Sequence, residues 1–281
     1  MSSVVLLCGP PASGKSVLAR AVAAAAVDSG DGNHTLPSRI VTIDESTLLP
    51  GVRDDWLSTP EAEKRLRDAV RSALERACGA QGTLVIVDAQ NGIKGFRYEL
   101  FCVSRAAGVR YCVVHCDVPA ETCSKWNTSR DEGEDRYAES VLLDLCSRFE
   151  RPDSRFRWES PLFTLHAREL EALHTTEQRQ KQGSTIEPAE DASTMAAAAS
   201  SSAASSVRGI VDAVLGRGSG SKQLMPGKAT FFDGERLVRQ QQRLNQELEQ
   251  KQRQARKKVI GFAPRVSKKA MDNDQNNNVA P

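Results

Sequence analysis

The seven cysteines, at positions 8, 78, 102, 112, 116, 123 and 146, contain no C-x-x-C pair and no paired metal-ligand spacing. Most lie inside apolar runs, as reduced buried thiols do, which points away from a disulfide framework and toward a cytosolic or nuclear protein. Cys112, His115 and Cys116 are close in sequence, but on a strand neighbours alternate between faces, which works against a shared metal. Long hydrophobic runs are missing as well. No apolar stretch reaches membrane-spanning length, and the first strand-like run begins too early for a signal or transit peptide to precede it. A strong net charge is also absent, since 38 Lys/Arg oppose 36 Asp/Glu. The balance is uneven along the chain: residues 233–281 hold eleven Lys/Arg against six Asp/Glu, a basic run suited either to a phosphate backbone or to a solvated surface.

A chain of 281 residues holds one large domain or two small ones. Residues 1–168 alternate apolar runs with charged stretches, whereas residues 175–232 are dominated by Gln, Ser, Ala, Gly and Thr. The run TMAAAASSSAASS, Thr194 to Ser206, has too little apolar area to offset its ordering entropy and reads as linker. Three segments are therefore expected: a folded domain over 1–168, a low-complexity, largely disordered linker over 169–232, and a basic helical segment with a disordered tail over 233–281.

The first segment reads as repeated β then α. VVLLC leads to a helix, followed by the strand RIVTID (Arg39–Asp44), an amphipathic helix over Pro60–Cys78, and the strand TLVIVD (Thr83–Asp88). A further helix near Phe96–Ala107, the strand VRYCVVHCD and a fifth strand over Pro161–Leu165 complete the pattern. Near-continuous Val/Ile/Leu runs predict a parallel sheet between helix layers, an α/β three-layer fold. In such sheets ligands bind beyond the carboxyl ends of the strands.

The chemistry gathers at those ends. GPPASGKS, Gly9 to Ser16, has the spacing G-x-x-x-x-G-K-[ST] between a strand and a helix. In this phosphate-binding P-loop, made of Gly9, Pro10, Pro11, Ala12, Ser13, Gly14, Lys15 and Ser16, backbone N–H groups ring the phosphates. Lys15 reaches the outer phosphates and Ser16 ligates Mg²⁺, so ATP and Mg²⁺ are the expected ligands. Asp88 ends four apolar residues in the form of a Walker B carboxylate beside the metal, the other reading being a turn or helix-capping Asp. Asp44 ends the second strand. It reads either as a carboxylate facing the γ-phosphate or as the cap of the helix that Asp44-Glu45-Ser46-Thr47 would begin. Lys125, Arg130, Arg136, Arg148, Arg151, Arg155 and Arg157 form a basic cluster before the fifth strand, from which composition picks no single catalytic arginine.

Specific strings resemble a known family. NGIKGFRYEL (Asn91–Leu100), RFERPDSRFRWESPLF (Arg148–Phe163) and the Trp126, Asn127, Arg130 pattern, together with GPPASGKS, are similar to the killer-toxin-insensitivity family of Elongator-associated P-loop ATPases, related to L-seryl-tRNA(Sec) kinase. The resemblance covers roughly residues 3 to 166. It implies a kinase-like P-loop NTPase fold, Ser16 and Asp88 in the Mg²⁺ shell, Asp44 near the γ-phosphate, and Arg130 and Arg148 as lid candidates. It further implies the Elongator complex and tRNA as partners, and ATP hydrolysis supporting wobble-uridine modification. Kinase transfer to a hydroxyl on aminoacyl-tRNA or a small molecule is the alternative. Ser206–Leu215 and Glu235–Leu244 faintly resemble the family's last helices, but Glu159 stands where Asp is usual and the Gln-rich basic tail has no counterpart. A monomer is the default expectation.

Overall fold

The computed structural model describes residues 2–28, 36–49, 51, 53–130, 136–182 and 193–216. Its elements run β1 (Ser3–Cys8), α1 (Lys15–Val27), β2 (Arg39–Asp44), α2 (Glu45–Leu48), a 3-10 turn (Arg53–Trp56), α3 (Pro60–Cys78), β3 (Thr83–Asp88) and α4 (Lys94–Ala106). Then follow β4 (Arg110–Asp117), α5 (Ala120–Thr128), α6 (Glu139–Ser147), a second 3-10 turn (Arg157–Glu159), β5 (Leu162–His166), α7 (Ala167–Gln182) and α8 (Ser193–Leu215). The five strands form one sheet in the order β2-β3-β1-β4-β5, and every pairing is parallel. This is the kinase-like P-loop architecture expected from the strand and helix pattern.

Position in the sheet explains the strand sequences. β1 and β3 are buried at every residue because helices cover both faces, so they carry unbroken apolar runs. The edge strands β2 and β5 are partly exposed and tolerate Arg39 and His166. Helix α3 shows the helical counterpart. Leu66, Val70, Leu74 and Cys78 recur every fourth residue and are buried, while Thr59 caps the first turn by accepting the Ala62 N–H at 3.1 Å. Pro60 follows at the helix start, where its missing N–H removes no helical bond.

The structure differs from the linker expectation over residues 169–182 and 193–215, which lie in helices α7 and α8. Composition concealed the reason. Ala203, Val207, Ile210, Val211 and Val214 form one buried stripe at helical spacing, on a helix that packs against α7, α1 and the sheet. The shorter side-chain bonds that secure the helix run from Ser3 Oγ to the Val214 carbonyl at 3.0 Å and from Ser206 Oγ to Glu169 at 2.8 Å. The basic tail over 233–281, with its Glu235–Leu244 stretch, lies outside the described residues.

Candidate nucleotide site

Because all strands are parallel, Cys8, Asp44, Asp88 and Asp117 arrive at the same end of the sheet. The loop between β1 and α1 wraps that end. Its tight course depends on two glycines: a side chain at Gly9 would start 2.6 Å from Ser13 Oγ and 2.9 Å from the Cys116 carbonyl, and Gly14 has φ +85°. Ala12 also takes a positive φ of 56°, which aims successive N–H groups into the loop's hollow. Lys15 is 7% exposed, and its ammonium donates to the carbonyls of Pro10 at 2.8 Å and Gly9 at 3.2 Å. A buried ammonium satisfied by two loop carbonyls is placed to exchange them for phosphate oxygens.

Beside the loop Ser16 and Asp88 line the same cleft, with the Ser16 hydroxyl close enough to the Asp88 carboxylate to favour its charged form. Burial pushes the Asp88 carboxyl up, while Ser16 and Lys15 pull it down and Asp44 pushes it further up. An alcohol and a carboxylate oxygen are the hard donors Mg²⁺ accepts alongside its own waters and phosphate, so the residues present fit the ion. Asp44 is paired across the sheet with Asp88 and lines the same cleft. Both readings of Asp44 therefore meet in one residue, since its Oδ1 also accepts the Ser46 N–H at 2.9 Å as the cap of α2.

Arg130 lines this cleft, as a lid candidate must. Arg148 does not. It lines an adjoining apolar pocket with Gly9, Pro11, Leu57 and Phe149, and its guanidinium grips Glu63 at 2.7 and 3.2 Å and Asp144 at 2.9 Å. Burial works against ionisation of Glu63, yet Arg148 and Arg67 hold its carboxyl below the ordinary value. Arg148 thus braces α6 on α3 and is not brought to the cleft that Lys15, Ser16 and Asp88 line. His115 and Cys116, candidates for a weak metal reading, are buried in β4, where burial pushes the His115 imidazole down to about 4 and its ring stacks on Phe149.

Four polar or charged cleft residues escaped the sequence reading: Glu45, Arg53, Gln90 and Tyr137. Glu45 adjoins Asp44, and Gln90 follows Asp88 by two residues, so proximity to a motif was their one signal. Arg53 and Tyr137 come from irregular segments without any. Glu45 is buried and accepts the Gln90 backbone N–H at 2.5 Å. Burial lifts its carboxyl to about 7, against the pull of that N–H, Arg53 and Lys15. Between the ordinary value of 4.5 and about 7 the folded chain holds a proton that the unfolded chain has lost, so this group makes stability fall as pH rises through that window. Glu45→Gln is expected to remove a slope worth about 3 kcal/mol, read as urea midpoints at about pH 5 and about pH 8. Parallel curves for variant and wild type would show that Glu45 does not titrate this way.

The two resembling strings meet in the interior. Arg97, in the Asn91–Leu100 string, and Glu159, in the Arg148–Phe163 string, are both fully buried and ion-paired at 2.6 Å. Arg97 also donates to the carbonyls of Asn91 at 3.0 Å and Gly92 at 2.9 Å, and Glu159 accepts the Asp153 N–H at 2.8 Å. Asn91 in turn donates to the Leu7 carbonyl at 2.8 Å. The strings therefore form a frame that fixes the chain immediately after Asp88.

A family model described as chromatin associated protein KTI12 matches residues 2–276. The chain belongs to the KTI12 family. It is 46% identical over 164 residues to a KTI12 homologue of Oryza sativa subsp. indica, covering 58% of this chain and 52% of that protein. With Protein KTI12 of Saccharomyces cerevisiae the identity is 33% over 162 residues, covering 58% and 50%. The aligned part thus spans about half the length of these KTI12 relatives. Among solved structures, Chaetomium thermophilum Kti12 in complex with ADP-AlF3 is 28% identical with a TM-score of 0.48, covering 66% of this chain and all of that one. An APS kinase of Mycobacterium tuberculosis, in complex with AMPPNP and APS, is 21% identical with a TM-score of 0.43, covering 62% and 98%.

Proposed function

We propose that this KTI12-family chain binds ATP with Mg²⁺, hydrolyses it, and through that cycle supports the Elongator complex in modifying wobble uridines of tRNA. The observation that carries the nucleotide part is the cleft shared by Ser16 and Asp88 beside a glycine-dependent loop whose lysine is buried. Ser16 and Asp88 would hold Mg²⁺, which supplies charge neutralisation at the phosphates when bound. Lys15 and Arg130 stand where negative charge develops as water attacks the terminal phosphorus in line and ADP leaves. Family membership and the Asn91–Leu100 string support Elongator and tRNA as partners. The free thiols, of which Cys8, Cys78, Cys112, Cys116 and Cys123 are buried, support a cytoplasmic location that extends to the nucleus. Among the described residues no helix is long and apolar enough to cross a membrane.

One feature favours a second reading, phosphoryl transfer to a hydroxyl on aminoacyl-tRNA or a small molecule. The apolar pocket bounded by Gly9, Pro11 and Gln90 leaves room for an acceptor next to the phosphate loop. Incubation with γ-labelled ATP and bulk tRNA separates the two. The expected result is label released as free phosphate; label retained on tRNA would establish the kinase instead.

A further inference from the structure

Tyr137 is 2% exposed and lines the nucleotide cleft. Its oxygen accepts two hydrogen bonds, from Gln90 Nε2 at 2.5 Å and from Arg53 Nη1 at 3.1 Å. A phenol has two lone pairs and one proton, so these bonds engage the lone pairs and leave the proton for a third partner. Among the described residues no acceptor takes it. The Glu45 carboxylate, which acts electrostatically on the same phenol, receives the Gln90 backbone N–H instead.

The rest of the fold holds this donor in place. Asn127 exchanges two bonds with the Tyr137 backbone, at 2.8 and 3.0 Å, and Asp54 accepts the Ala138 N–H at 3.0 Å. The Arg53 guanidinium lies 5.2 Å from the ring centre, so the free O–H sits beside a cation. A fixed buried donor next to positive charge calls for an anionic acceptor.

The sheet order says which part of the nucleotide supplies it. On the β4–β5 side, Gly14 opens toward Leu170 and Trp126, each 3.6–3.7 Å from where a side chain would begin. The Ser16–Asp88 pair stands over β1 and β3, and Glu45, Arg53, Gln90 and Tyr137 gather beyond it toward β2. Inner phosphates on the loop amides therefore place the terminal phosphate on the Tyr137 side.

We propose that Tyr137 donates its phenolic proton to an oxygen of the terminal phosphate, with Arg53 beside it, so that the cleft distinguishes a nucleoside triphosphate from a diphosphate. The inference rests on the nucleotide-binding reading above. Its test is calorimetric binding of the β,γ-imido analogue of ATP and of ADP, each with Mg²⁺, to the full chain and to Tyr137→Phe, which keeps the ring. The expected result is a loss of about tenfold in the triphosphate-over-diphosphate preference, with ADP affinity held. An unchanged preference, or an equal fall for both nucleotides, overturns the proposal while leaving the nucleotide site standing. Absence of binding to the wild type overturns the nucleotide reading itself. Should Tyr137→Phe fail to fold, Arg53→Gln is judged by the same ratio, with the same fall expected and an unchanged ratio counting against the proposal.

Discussion

Lys15→Ala is expected to weaken ATP binding by about a hundredfold or more and to reduce hydrolysis below detection. The ammonium is buried within the loop and satisfied by the Gly9 and Pro10 carbonyls, so the fold has already borne the cost of desolvating it. A phosphate that replaces those carbonyls gains a charge-assisted bond with little further rearrangement. Alanine removes that partner and leaves the loop carbonyls to water. Filter binding of labelled ATP and release of free phosphate check the expectation. Unchanged affinity and turnover would show that the loop holds no nucleotide.

The second large effect is on stability. Glu159→Ala is expected to cost about 3–5 kcal/mol, because it strands the fully buried Arg97 guanidinium without its counter-charge. In a chain of this size that corresponds to a fall in Tm of roughly 10 °C, measured by thermal unfolding. The double variant Arg97→Met/Glu159→Leu is expected to recover part of the loss, since removing both charges avoids the uncompensated one. A Tm unmoved by Glu159→Ala would mean that the pair does not frame the Asp88 loop.

The two effects separate chemistry from scaffolding within the same strings. Gly9 to Ser16, Asp44 and Asp88 were legible in the sequence because a phosphate loop and a strand-end carboxylate need fixed residue types at fixed spacing, and the structure gathers them at one end of the sheet. The strands were legible for a related reason, since burial on both faces leaves unbroken apolar runs such as TLVIVD. The place of Arg148 was not legible because its motif neighbourhood does not reveal its partners: Glu63 lies 85 residues away on α3 and engages its side chain. Helix α8 was hidden by the opposite difficulty. Its alanines and serines mimic a linker, and its buried stripe emerges once Val207, Ile210, Val211 and Val214 are set on a helix. Tyr137 carried no local signal at all, as its place in the cleft comes from Asn127, Asp54, Arg53 and Gln90, drawn from separate segments.

The cleft at the ends of β1 and β3 is proposed above to bind ATP with Mg²⁺ and hydrolyse it. The direct test is Mg²⁺-dependent release of phosphate from ATP by the full chain beside Asp88→Asn, which keeps the shape of the side chain and removes its charge. The expected result is turnover that a chelator abolishes and that falls about a hundredfold or more in the variant. Full Mg²⁺-dependent turnover by Asp88→Asn, or none by the wild type with tRNA present, would contradict it.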